Sequence, residues 1–205
     1  PMAFGLWVWR AHGSEIGLQY YTGYLVEKSL SVDNLFIFIL ILTSFAVPRV
    51  LQQRVLLIGI AGALLMRGAF IALGAALIAR FSWMFLIFGA ILLVTAWGVL
   101  RDARQGGHAL EVSELRIVRL ARRFFPITAD YRGTRMTVIE GGRKALTPLA
   151  LVVLAILGTD LVFAIDSVPA VYGITGDPYL VFVTNAFALL GLRALYFVLE
   201  GLLGT

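Results

Sequence analysis

The 205-residue chain has no cysteine and only two histidines, His12 and His108. The first absence excludes disulfides, iron–sulfur clusters and thiolate zinc sites. Both histidines stand outside the long apolar runs, so an imidazole-based site within those runs is not expected. Charge is also scarce: Asp, Glu, Lys and Arg make up 14% of the residues, against about 25% in soluble domains, and 60% are apolar against about 45–50%. Water tolerates only limited apolar surface, whereas lipid accepts it, so the excess of Leu, Ile, Val, Ala and Phe reads as lipid-facing. No basic start with a cleavable apolar segment precedes Met2, so no targeting signal is read, and the chain has the look of an excerpt from a longer one.

Five apolar segments are present, at residues 18–46, 55–79, 82–100, 145–172 and 178–203, each near or above the roughly 20 residues that span a bilayer core. No sustained period of two runs through them, which argues for helices and against a transmembrane barrel. The expected fold is all-α, a polytopic transmembrane helix bundle of about five spans, with Pro48, Pro148 and Pro178 at the breaks.

Residues 101–144 hold ten of the seventeen Lys and Arg: Arg101, Arg104, Arg116, Arg119, Arg122, Arg123, Arg132, Arg135, Arg143 and Lys144. Positive charge gathers on the cytoplasmic side of membrane proteins, so this loop is expected inside. The net charge of +5 is thereby assigned to topology, and nucleic acid is not expected as a partner. Alternation puts Pro48 to Arg54 inside too, and leaves Arg80 and the segment from Gly173 to Asp177 outside. Within the loop, Glu111 to Phe125 has a basic amphipathic pattern, with Leu115, Val118, Ala121 and Phe125 near one face. Such a helix lies on anionic lipid or serves as a solvated linker.

Carboxylates within lipid cost several kcal/mol each unless paired, hydrated or metal-bound, so each is a functional candidate. Four matter here. Glu27 and Asp33 fall in the first segment and Asp160 and Asp166 in the fourth, and each pair is separated by five residues. The matched spacing, in segments of opposite expected orientation, reads as an inverted repeat, a transporter signature. A weaker echo sets Ala69, Phe70 and Gly74 against Ala186, Phe187 and Gly191. Six residues of α-helix turn through about 600°, so the two acids of a motif point about 120° apart, while residues seven apart nearly coincide. Glu27 then aligns with Asn34, and Thr159 with Asp166. A local unwinding is expected to let them converge, because Pro169 cannot donate to the Ile165 carbonyl.

Glu27, Asp33, Asn34, Asp160, Asp166 and Ser167 make an all-oxygen set, which suits Mn²⁺, Ca²⁺ or Mg²⁺ over Zn²⁺ or Cu⁺. The competing interpretation pairs the acids with Lys28, Arg67 or Arg193 as buried salt bridges. Lys28 is expected to snorkel or to neutralise Glu27 locally, and Arg193 to snorkel. Arg67 lies deeper, as a gating counter-ion or a fixed structural partner. Asn185 is an amide ligand or an interhelical hydrogen bond. Glu200, Met66 and Met84 are left out of the site, and pairs such as Gly59 with Ala63 and Gly68 with Ala72 read as close helix packing. No Ser-His-Asp set, no His-Glu-x-x-His and no nucleotide loop is found, so an enzyme is not expected.

The stretches Tyr21-Thr-Gly-Tyr-Leu-Val-Glu27-Lys-Ser-Leu-Ser-Val-Asp33-Asn34 and Asp160-Leu-Val-Phe-Ala-Ile-Asp166-Ser167-Val-Pro169-Ala strongly resemble the TerC family of integral membrane proteins, from about residue 3 to the end. The resemblance implies packed transmembrane helices with related halves, akin to the LysE transporter superfamily. It also implies a role in metal-ion homeostasis, with manganese efflux the activity in bacterial members and tellurium resistance an indirect effect. The expected ligands carry over onto Glu27, Asp33, Asn34, Asp160, Asp166 and Ser167. Family members usually have more spans, so an N-terminal helix before the first motif and segments after the fifth are expected to be missing here. The partners expected are a divalent metal ion and the lipid bilayer of a bacterial inner membrane, with a homo-oligomer left open. The alternative function is membrane-protein assembly or scaffolding, to which some plant relatives are linked.

Overall fold

The computed structural model describes residues 1–81, 83–104, 116–140 and 142–203; within them, the side chains of residues 33, 99, 102, 103, 116, 117, 193, 194 and 197–203 lie outside the description. The order is α1 (Met2–His12), α2 (Ser14–Ser44), α3 (Arg49–Arg80), α4 (Met84–Arg104), α5 (Arg116–Phe124), β1 (Thr137–Glu140), β2 (Arg143–Leu146), α6 (Pro148–Tyr172) and α7 (Pro178–Leu203). α3 and α6 are each long and apolar enough to cross a membrane, and α4 and α7 carry shorter apolar stretches at Met84–Gly98 and Pro178–Leu192. α2 has 31 residues, but Glu27, Lys28 and Asp33 interrupt its apolar run.

The chain ends its helices where local chemistry dictates. Gly13 turns α1 onto α2 at φ +92°, a left-handed conformation that favours glycine. Pro48 leads into α3, and the Thr147 hydroxyl caps α6 by accepting from Ala150 N at 3.4 Å, with Pro148 in the first turn. Pro178 opens α7, and Asp177 Oδ1 accepts from Tyr179 N at 2.8 Å.

α6 sits at the centre and is buried along most of its length. It runs antiparallel to α2: Gly23 lies against Val171 near one end, and the Ser167 hydroxyl stands on Glu27 one turn further along. α3 runs parallel to α6, with Gly59 under Ile156, Gly62 under Leu157 and Gly74 against Tyr172. Both close approaches depend on glycine, because an added Cβ would lie 2.8 Å from Ile156 Cγ2 and 2.7 Å from Leu157 Cδ2. α7 follows α2, and its Tyr196 hydroxyl donates to Gln52 Oε1 at the start of α3 at 2.8 Å. The main core joins Leu35, Phe38, Ile41, Val55, Leu56, Val152, Ile156, Leu189 and Leu192. Outward-facing residues are apolar as well, among them Leu25, Phe36, Leu65, Leu86, Leu93, Val94 and Trp97, which is the surface a lipid solvent accepts.

Two short elements stand beside the expected helices, and one expectation is corrected. A short helix, α1, precedes the first acid motif. Its 11 residues rise only about 16 Å, too little to cross a bilayer core, and it is held by Tyr20 and Tyr21, whose hydroxyls donate to Pro1 O at 3.0 Å and Met2 O at 2.9 Å. In the otherwise helical chain, β1 and β2 pair antiparallel across the Gly142 turn, at φ +78°. Finally, α6 stays helical through Pro169, so the unwinding expected there does not occur. Burial of Val168, Pro169 and Val171, and the bond from Tyr172 Oη to Ile71 O at 2.6 Å, hold the last turn in place.

The basic segment lies at the end of the bundle where α2 stops and α6 begins, since the Tyr131 hydroxyl donates to Phe45 O at 2.7 Å. Within it Val118 of α5 is fully buried against the core, while Leu120, Phe124 and Phe125 are exposed. Glu111–Leu115 of the expected amphipathic helix lie outside the described residues.

Candidate functional site

Arg67 is the organising residue. Its side chain projects from the middle of α3 and is 1% exposed. Nε donates to both oxygens of Asp160, at 3.2 and 3.1 Å, and Nη2 donates to Asp160 Oδ1 at 2.8 Å. Nη1 reaches the other way, donating to Glu27 Oε2 at 3.3 Å, Ser167 Oγ at 3.3 Å and Asn185 Oδ1 at 3.1 Å. Asn185 Nδ2 completes the ring by donating to Glu27 Oε1 at 2.8 Å. Glu27 and Asp160 are fully buried, and Ser167 and Asn185 nearly so. Two carboxylates around one guanidinium leave one formal negative charge in a low-dielectric interior, a setting in which charge is tolerated only with this density of hydrogen bonds.

The structure thus brings together Glu27, Asp160, Ser167, Arg67 and Asn185. Arg67 supplies the charge partner expected of Lys28, which instead rests with Nζ over Gly191 of α7. Asn34 is buried on the same face of α2 as Glu27, seven residues on, as the helical period requires. Among the described residues its Oδ1 has no hydrogen-bond partner, and neither has Oγ of Ser31, which is not among the candidates above. Asp166 lies outside the ring, because with α6 unbroken its side chain turns away from Asp160. One of its oxygens is buried without a partner, and its carboxyl faces Thr95 of α4. The side chains of Asp33, Arg193 and Glu200 lie outside the described residues. Among the described residues, no three acidic or imidazole side chains gather at one point.

A separate cleft of about 240 Å³ between α3, α4 and α6 is lined by Phe70, Leu73, Phe88, Ile91, Val168 and Pro169. It is walled by carbon and offers a cation nothing.

The profile of one known family, described as integral membrane protein TerC, matches residues 12–205. The chain belongs to the TerC family of integral membrane proteins. Among TerC relatives, an uncharacterized membrane protein of Mycobacterium tuberculosis is 47% identical over 203 residues, covering 98% of this chain and 51% of the relative. The thylakoid membrane protein TERC of Arabidopsis thaliana is 40% identical, over 95% of this chain and 50% of the plant protein. A Salmonella typhi protein, named as a candidate membrane-bound redox modulator, Alx, is 38% identical over 97% of this chain and 62% of its own length. The chain therefore spans about half to three fifths of the length of these TerC relatives. No solved structure matches it.

Proposed function

We propose that this TerC chain carries a hard divalent cation across a bacterial inner membrane, with manganese the first candidate and calcium and magnesium the next. The observation that carries the reading is the shell around Arg67. Each of its acceptors is an oxygen, from two carboxylates, a hydroxyl and an amide, and this is the donor chemistry hard cations take. Asp33 and Asp166 are the further ligands proposed to join as the site opens. α2 and α6 run antiparallel and each contributes one acid, which supports alternating access between two related halves arranged as an inverted repeat. In this reading α2, α3, α4, α6 and α7 are the five spans, the basic segment 101–144 faces the cytoplasm, and the direction is the efflux that the TerC resemblance implies. Protonation of the carboxylates weakens metal binding, which makes proton entry a natural driving reaction.

A second reading is favoured by one observation: both buried acids of the ring are already paired with Arg67, and no three acids converge among the described residues. In that reading the ring is a fixed clamp and the chain is an assembly factor without cargo.

Transport in proteoliposomes separates the two. The full chain, assayed with Mn²⁺, Ca²⁺, Mg²⁺ and Zn²⁺, is expected to move manganese best, and Glu27→Gln, Asp33→Asn and Asp166→Asn to cut flux at least tenfold while remaining folded. Flux that is absent, or indifferent to all three changes, gives the lead to the assembly reading.

A further inference from the structure

The bonds of Arg67 fall into two groups. Those to Asp160 are bidentate and include the shortest, 2.8 Å, whereas the three from Nη1 to Glu27, Ser167 and Asn185 are longer, at 3.1–3.3 Å. The first group ties Arg67 to its parallel neighbour α6. The second reaches across to α2 and α7, and also to Ser167.

Two orphaned groups lie on the face of α2 that carries Glu27. Ser31 Oγ and Asn34 Oδ1 are on buried residues, each 1% exposed, and neither atom has a partner among the described residues. Ser31 is unlike Ser29, Thr43, Thr95, Thr159 and Thr184, whose hydroxyls all donate back to carbonyls of their own helices. A buried polar atom without a partner is unfavourable, so its persistence calls for a reason. The antiparallel register supplies one. Gly23 lies against Val171 and Glu27 against Ser167, and continuing that register sets Asn34 at about the level of Asp160. A long side chain on a helix leans toward the helix N-terminus, and for α3 that direction leads toward Ser31 and Asn34.

We propose that Arg67 is a tethered substitute cation with two positions. In the position seen here Nη1 fills the cargo's place against Glu27, Ser167 and Asn185. In the other, Arg67 stays on Asp160 and Nη1 turns to Asn34 and Ser31, leaving those oxygens to the arriving divalent ion. Cargo and Nη1 therefore occupy the shell in turn, and the emptied carrier returns without a second ion because it carries its own. This rests on the transport reading and specifies its coupling.

The test compares net manganese efflux into metal-free buffer with one-for-one exchange against external Mn²⁺, using the full chain in proteoliposomes, alongside Mn²⁺ binding in detergent. Arg67→Gln is expected to bind Mn²⁺ at least tenfold more tightly, to keep exchange, and to lose net efflux at least tenfold. Should that variant fail to fold, Arg67→Lys, which retains charge but not the forked reach, is expected to shift the efflux-to-exchange ratio in the same direction by several-fold. Asn34→Leu is expected to weaken binding, and Arg67→Gln in the same chain to restore it, which loss of a metal ligand would not allow. An unchanged efflux-to-exchange ratio in the Arg67 variants, or no rescue of Asn34→Leu, overturns the substitute-cation proposal. A wild-type chain that neither binds nor moves manganese, calcium or magnesium overturns the transport reading itself.

Discussion

Asn185 faces Glu27 with its amide nitrogen, donating to Oε1 at 2.8 Å, and faces Arg67 with its amide oxygen. One neutral side chain therefore satisfies both members of an ion pair, and its orientation is fixed because each end of the amide has only one suitable partner.

Asn185→Leu should therefore take the amide donor from Glu27 Oε1 in the interior and leave Arg67 Nη1 to Glu27 Oε2 and Ser167 Oγ alone. A loss of about 1–3 kcal/mol is expected for a buried acceptor deprived of its donor. Thermal unfolding in detergent checks this, and a melting temperature equal to wild type would mean that water takes over both bonds.

Arg67 and Asp160 should behave as one unit in a double-mutant cycle. Asp160→Leu alone strands a buried guanidinium and is expected to cost about 3–5 kcal/mol, whereas Asp160→Leu combined with Arg67→Met removes both charges and should cost far less than the sum. Glu27→Gln is the background of all four members of the cycle, so that Asp160 is the only acid the guanidinium can pair with. Additive losses would show that the bidentate pair is energetically idle.

The glycines of α3 should not tolerate a methyl. Gly59→Ala and Gly62→Ala each place a Cβ under 3 Å from a branched side chain of α6, and overpacking of this kind costs about 1–3 kcal/mol. Gly23→Ala, whose nearest contacts would be 3.4 Å, serves as the tolerated control. Equal stability of all three variants would sink the distinction.

Tyr131 gives a pH dependence outside the bundle's apolar helices. Burial raises its pKa above the ordinary value of 10.0. A raised value in the fold means that the unfolded chain loses the proton first, so the contribution is complete below about pH 10 and falls away as pH rises through the folded value. Tyr131→Phe removes the bond to Phe45 O, at a cost of about 1 kcal/mol near neutrality, and should flatten the alkaline limb of the stability curve. Persistence of that limb would assign it to other groups.

How far these features were legible in the sequence varies with what each depends on. The long helices were legible because length and apolarity are additive along a chain, and α3, α6 and α7 fall within a few residues of the expected segments 55–79, 145–172 and 178–203. Residues Glu27, Asp160, Ser167 and Asn185 were picked out because polar atoms in apolar runs are conspicuous one at a time. Arg67 stood among three possible bases with Lys28 and Arg193, but that both acids meet on it was not legible, since which base answers which acid depends on the register between α2, α3 and α6. Ser31 escaped notice because a serine in a membrane helix ordinarily bonds its own backbone. α1 was too short to register as a span, and the β-hairpin was hidden in a segment read only for its charge, although Gly141 and Gly142 marked the turn.

The glycine contacts under Ile156 and Leu157 have a mechanical consequence. They key α3 to α6 so closely that the two must move as a single stator, carrying Arg67 and Asp160 with them. Glu27 and Asn185 belong to the other piece, α2 with α7, and Gly23 meets Val171 across that boundary with room for a methyl. The two pieces are joined by the shared apolar core of Leu35, Phe38, Val152, Ile156 and Leu189 and, at the buried ring, by the hydrogen bonds of Arg67 Nη1. The charge cluster therefore lies in the joint between them, where polar contacts can be exchanged one for another while the apolar contacts beside them persist.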